Sequence, residues 1–102
     1  MSPTITNDGW SNKAGTADRA CSCQTWKQHW LNFSGRPWPA QCAVQTCASR
    51  PTLGAHVINP AVSGGRIIPT CEACNHRSGH FSLKPATVLV SANQAETCAR
   101  KR

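Results

Sequence analysis

Apolar positions in this chain come in short bursts separated by proline and glycine, and each burst predicts a short element. In "TWKQHWLNFSG", Trp26, Trp30 and Phe33 fall at i, i+4 and i+7. That is one face of a short helix over 25–33. Thr25 and Gln28 have the spacing of a capping box, and Gly35 is a stop signal. Two prolines in "GRPWPAQ" then break the helix. "GAHVIN" and "RIIP" read as strands joined by "PAVSGG", with Gly64 and Gly65 suited to a tight reversal. Thr70 predicts the N-cap of a helix that carries "CEACNHR" and ends at Gly79. "HFSL" and "TVLV" read as further strands divided by Pro85. Asn93 and Glu96 have the capping spacing of a last helix, "QAETCARKR". Residues 1–20 lack apolar periodicity and read as a flexible N-terminal arm ahead of a single domain over 21–102.

A core built from the remaining residues, in a chain that is 39% hydrophobic with four Trp and no Tyr, needs help from a metal or disulfides. Seven cysteines, at 21, 23, 42, 47, 71, 74 and 98, are the candidates. No charged segment followed by an apolar run opens the chain, and no apolar stretch approaches membrane-spanning length. The expectation is a cytoplasmic protein without membrane association, whose thiols stay reduced and whose paired cysteines bind metal. Cys42 and Cys47 enclose a short loop, Cys71 and Cys74 a shorter one. All four sulfurs can reach one tetrahedral Zn²⁺ at about 2.3 Å. A rival quartet of Cys71, Cys74, His76 and His80 leaves Cys42 and Cys47 without work and spans Gly79. Cys21, Cys23 and Cys98 either complete a second site with His29 or are buried free thiols.

The formal charge is +7. Four zinc thiolates and their metal lower it to about +5. A domain this basic, with "ARKR" near its end, has nucleic acid as its natural partner class, solubility being the plainer use of the charge.

The order "CAVQTC…GAHVINP…GG…IIPTCEACN" resembles the zinc-stapled HNH endonucleases, a branch of the ββα-metal (treble-clef) nucleases. The likeness covers residues 42 to about 77 and is similar in detail to small bacterial and phage HNH-like proteins. It implies a small α+β, zinc-stabilised treble clef. It also implies that His56 occupies the position of the general base that deprotonates water. Asn75 then matches a helix ligand to a catalytic divalent cation such as Mg²⁺. Two departures from the family pattern matter. Ala55 stands where an Asp or His ligand is usual, and Arg66 stands at the family's central asparagine. His76 or His80 would have to replace the missing ligand, with Arg66 as a phosphate clamp.

Two functions follow from this reading. One is an HNH-like domain that binds nucleic acid, DNA above all, with a depleted nuclease site. The other is an active metal-dependent DNA endonuclease using His56, Asn75 and His80. A zinc-stabilised module for a protein partner is a third possibility. Outside catalysis, His56 would tie the hairpin to the cysteine turn through a backbone hydrogen bond, and Asn75 would serve the turn around Cys74.

Overall fold

A computed structural model describes residues 7–13, 25–77 and 79–92. Four antiparallel strands lie in chain order: β1 (Ser11–Asn12), β2 (Leu53–Asn59), β3 (Val62–Thr70) and β4 (Val90–Ser91). Two helices accompany them, α1 (Trp26–Ser34) and the single turn α2 (Glu72–Asn75). The result is a small mixed α/β fold around a β2–β3 hairpin.

Strand alternation divides the apolar residues between two cores. On one face Ala55, Val57 and Ile68 pack with Trp10, Val44, Leu83 and the cysteines 42, 71 and 74. On the other, Ile67 and Val90 pack with Trp26 and Trp30 of α1. Both aspects of the hairpin are therefore covered, one by sulfur and one by indole.

Helix α1 begins where its sequence signals place it. Thr25 is extended (φ −134°, ψ 157°) and its hydroxyl accepts the Gln28 N–H at 3.1 Å. Gly35, at φ 70°, closes the helix in the left-handed region. The reciprocal half of the capping box is not made, because the Gln28 amide donates to Asn32 Oδ1 at 2.9 Å. The buried face is Trp26, His29 and Trp30; Phe33 is exposed.

Four expectations change. The hairpin reverses at Pro60–Ala61, since Asn59 pairs with Val62. Asn59 Oδ1 accepts the Ala61 N–H at 2.9 Å, an Asx turn ahead of the ladder. Gly64 and Gly65 lie inside β3, where the register shifts and Gly64 takes φ 77°. Thr70 is fully buried at the end of β3; Cys71 is the N-cap of α2, and that helix stops at Asn75, well short of Gly79. "HFSL" contributes only isolated bridges, Trp10 to Phe81 and Val44 to Leu83. Finally, residues 7–13 of the expected arm belong to the fold. Ser11 pairs with Ile58, and Trp10 has no exposed surface. The expected last helix, "ARKR", and Cys21, Cys23 and Cys98 lie outside the described residues.

The Lys84–Thr87 turn has Pro85 second and Ala86 third, with Ala86 at φ 67°. The Thr87 N–H reaches the Lys84 carbonyl at 3.3 Å. A type II turn wants glycine at that third position, because a Cβ in the left-handed region costs about 1–2 kcal/mol. Ala86→Gly is therefore expected to stabilise the protein by about 0.5–1 kcal/mol after glycine's entropy is counted. Urea denaturation checks it, and no gain would remove the argument for strain.

Candidate metal centre

Cys42 leads into a tight turn that returns the chain to Cys47, whose N–H donates to the Val44 carbonyl at 3.0 Å. Cys71 and Cys74 come from the junction of β3 and α2. The hairpin closes this distance, since Leu53 pairs with Thr70 and Ala43 donates its N–H to the Pro69 carbonyl at 2.9 Å. The four sulfurs consequently lie within 4.8 Å of one another, and Cys47 Sγ and Cys71 Sγ are 3.7 Å apart. Neighbouring sulfurs of a tetrahedral tetrathiolate site are about 3.8 Å apart when each metal–sulfur bond is 2.3 Å. A disulfide needs about 2.05 Å, and all four thiols are free. This cluster could hold a metal ion.

Backbone amides aim at the sulfurs as well. Cys42 receives N–H bonds from Val44 and from Cys71, the latter at 3.4 Å. The Ser49 backbone N–H, with a bond from the Ser49 side chain, draws the Cys47 thiol down to about 6. Burial works the other way at Cys42 and Cys74 and pushes both thiols up. Four thiolates cannot coexist in this core unaided. A divalent cation would convert the buried thiols to thiolates, and loading would release their protons.

The rival quartet is not assembled. His76 and His80 are exposed, and His76 sits 3.9 Å from Glu72 across one exposed helical turn. His29 is fully buried and donates from Nε2 to the Ser91 carbonyl at 2.8 Å, which ties α1 to β4.

His56 occupies the opposite face of the hairpin from Ala55. Its ring meets Trp26 edge-on at 5.3 Å. A Cβ on Gly65 would fall 2.0 Å from His56 Nε2, so Gly65 is the floor on which the imidazole rests. His56 Nδ1 is buried without a hydrogen-bond partner, so the expected backbone tie does not run through that atom. Burial, with Lys13 and His29 nearby, lowers its pKa and keeps the ring neutral at pH 7. Asn75 is half-buried, and its own N–H bonds the Cys71 carbonyl at 3.0 Å. The structure brings the four cysteines together; among the described residues no hydrogen bond joins His56 to Asn75 or to His80. Arg66 is half-buried, with Nη1 on its neighbour's carbonyl, that of Gly65, at 3.3 Å.

Two features escaped the sequence reading. Lys84 donates from Nζ to the carbonyls of both Cys42 and Cys47. A groove of about 510 Å³ opens between Trp30, Trp38 and the Lys84–Thr87 turn, with Arg36 beside it. Its two indoles are fixed by bonds from Nε1, Trp30 to the Val88 carbonyl and Trp38 to that of Pro51, each at 2.9 Å. Proline-flanked tryptophans carry no periodic signal, and the Lys84 contact spans about forty residues. Among the described residues no helix is long and apolar enough to cross a membrane. No protein-family model matches the chain, and no curated protein or solved structure matches it either.

Proposed function

We propose that this chain is a zinc-stapled, HNH-like treble-clef module that binds nucleic acid and has a depleted nuclease centre. Zinc is the metal that four converging thiolates favour in a structural site. Position 55 carries the argument for depletion. Ala55 is 1% exposed, and its methyl group packs into the core beside the cysteines. It offers no ligand. Among the described residues, the four-cysteine cluster is the one group of three or more His, Cys, Asp or Glu side chains close enough to share an ion. Phosphodiester cleavage at a metal site needs a hard cation held by oxygen or imidazole donors, which this cluster is not. For binding, Lys13, Arg36, Arg50 and Arg77 are exposed, while Asp8 and Glu72 are the acids among the described residues.

The second reading, an active DNA endonuclease, is favoured by one observation. His56 is a neutral imidazole with a buried, unpartnered nitrogen, the protonation state a general base requires. Asn75 and His80 would have to come to it when a cation and substrate bind. The groove beside Trp38 supports the third reading, a surface for a protein partner.

One experiment separates them. The native protein is titrated with single- and double-stranded DNA at increasing salt, then incubated with plasmid and Mg²⁺, Mn²⁺ or Ni²⁺ beside His56→Ala. Binding should weaken about 100-fold between ~50 and ~200 mM salt, as for roughly four phosphate contacts, with no nicking. Nicking that disappears in His56→Ala would replace depletion with catalysis. No binding at low salt would leave the protein-partner reading.

A further inference from the structure

Lys84 is held more firmly than a surface lysine requires. Its backbone N–H donates to the Ala43 carbonyl at 2.8 Å, inside the loop between Cys42 and Cys47. Its own carbonyl accepts both the N–H and the hydroxyl of Thr87, the hydroxyl at 2.7 Å. Next door, Leu83 bridges Val44, and the Gln45 N–H reaches the Ser82 carbonyl at 2.8 Å. Residues 82–84 thus lie as a short strap along the first cysteine turn. From the end of that strap the ammonium reaches back to the carbonyls of Cys42 and Cys47, the two ends of the turn.

We propose that Lys84 is a built-in countercation of the metal centre, which offsets the charge of the loaded site. This rests on the reading of the cysteine cluster as a metal centre. Four thiolates around a divalent ion carry a net charge of −2, in a place where Cys42, Cys71 and Cys74 are nearly inaccessible to water. A cation hydrogen-bonded to the backbone carbonyls of two of the ligating residues lowers the cost of gathering that charge. It also neutralises two carbonyl dipoles whose oxygens would otherwise converge without a donor. Partners of this kind are commonly worth 10–100-fold in metal affinity.

The test uses Lys84→Met, which keeps the length of the side chain and removes the charge and its donors. Zinc affinity is measured by competition with a chromophoric chelator, and site geometry by the visible absorption of the Co²⁺-loaded protein. The variant should bind zinc about 10–100-fold more weakly and still show tetrahedral tetrathiolate bands at saturating Co²⁺. An affinity within about twofold of native would overturn the proposal. If Lys84→Met does not fold even with excess metal, Lys84→Arg decides. It retains charge and donors, so an affinity within about tenfold of native supports the countercation role. A Lys84→Arg protein that cannot be loaded overturns it. Failure of the underlying reading is visible separately, as a native protein that takes up no metal at all.

Discussion

Stripping the metal from the native protein with a strong chelator at neutral pH is expected to unfold the chain, and Cys74→Ser is expected to prevent folding. The sulfurs are not attached to an already sufficient core. Cys42, Cys71 and Cys74 are part of the same buried cluster as Ala55, Val57 and Ile68. Without the ion that cluster holds three buried thiols and the low-pKa Cys47 group. A structural tetrathiolate zinc site contributes about 10–16 kcal/mol of apparent binding energy, whereas a whole domain is stable by about 5–15 kcal/mol. The first figure covers the second. Elemental analysis should therefore find one zinc per chain, and far-ultraviolet dichroism should lose its folded signal on chelation. A metal-free chain that stays folded, or a fully folded Cys74→Ser variant, would remove the staple from this account.

That centre was legible because its spacing is local. Two short cysteine loops and a hairpin-length segment between them leave few ways to use four thiols. Helix α1 was legible for a similar reason, since Thr25 and Gly35 act within one turn of its ends. The misreadings share a cause too. Gly64–Gly65 looks like a turn, but the reversal is made by Asn59, whose side chain accepts the Ala61 N–H. Gly65 is small because the His56 ring lies over it, a demand set across the hairpin and invisible along the chain. Thr70 has the chemistry of an N-cap and is instead the buried end of β3. Trp10 precedes a two-residue strand, too short to show a period of two. Lys84 reads as one more solvated charge until the strap sets it behind the cysteines.

Gly54→Ala is expected to be the most damaging substitution outside the cysteines, costing about 3 kcal/mol or more, at the upper end of what overpacking does. A Cβ at this position would lie 2.6 Å from the Trp26 carbonyl carbon and 2.7 Å from the Lys27 nitrogen. Both atoms are backbone in the first turn of α1, so no rotamer change can clear them. Gly65 differs, because the obstacle there is the His56 side chain, which can swing. Relief at Gly54 requires the whole helix to move outward by roughly 1 Å, enough to forfeit much of the dispersion contact beneath it. Trp26 and Trp30 would lose their packing on Ile67 and Val90. The His29 bond to the Ser91 carbonyl, now 2.8 Å, would lengthen as well. The cysteine cluster lies on the other face of the hairpin, so a chain that still folds should take up metal with the same stoichiometry as native. Urea denaturation of the metal-saturated proteins measures the loss. A Gly54→Ala midpoint close to native would mean that α1 does not rest on β2 at this glycine.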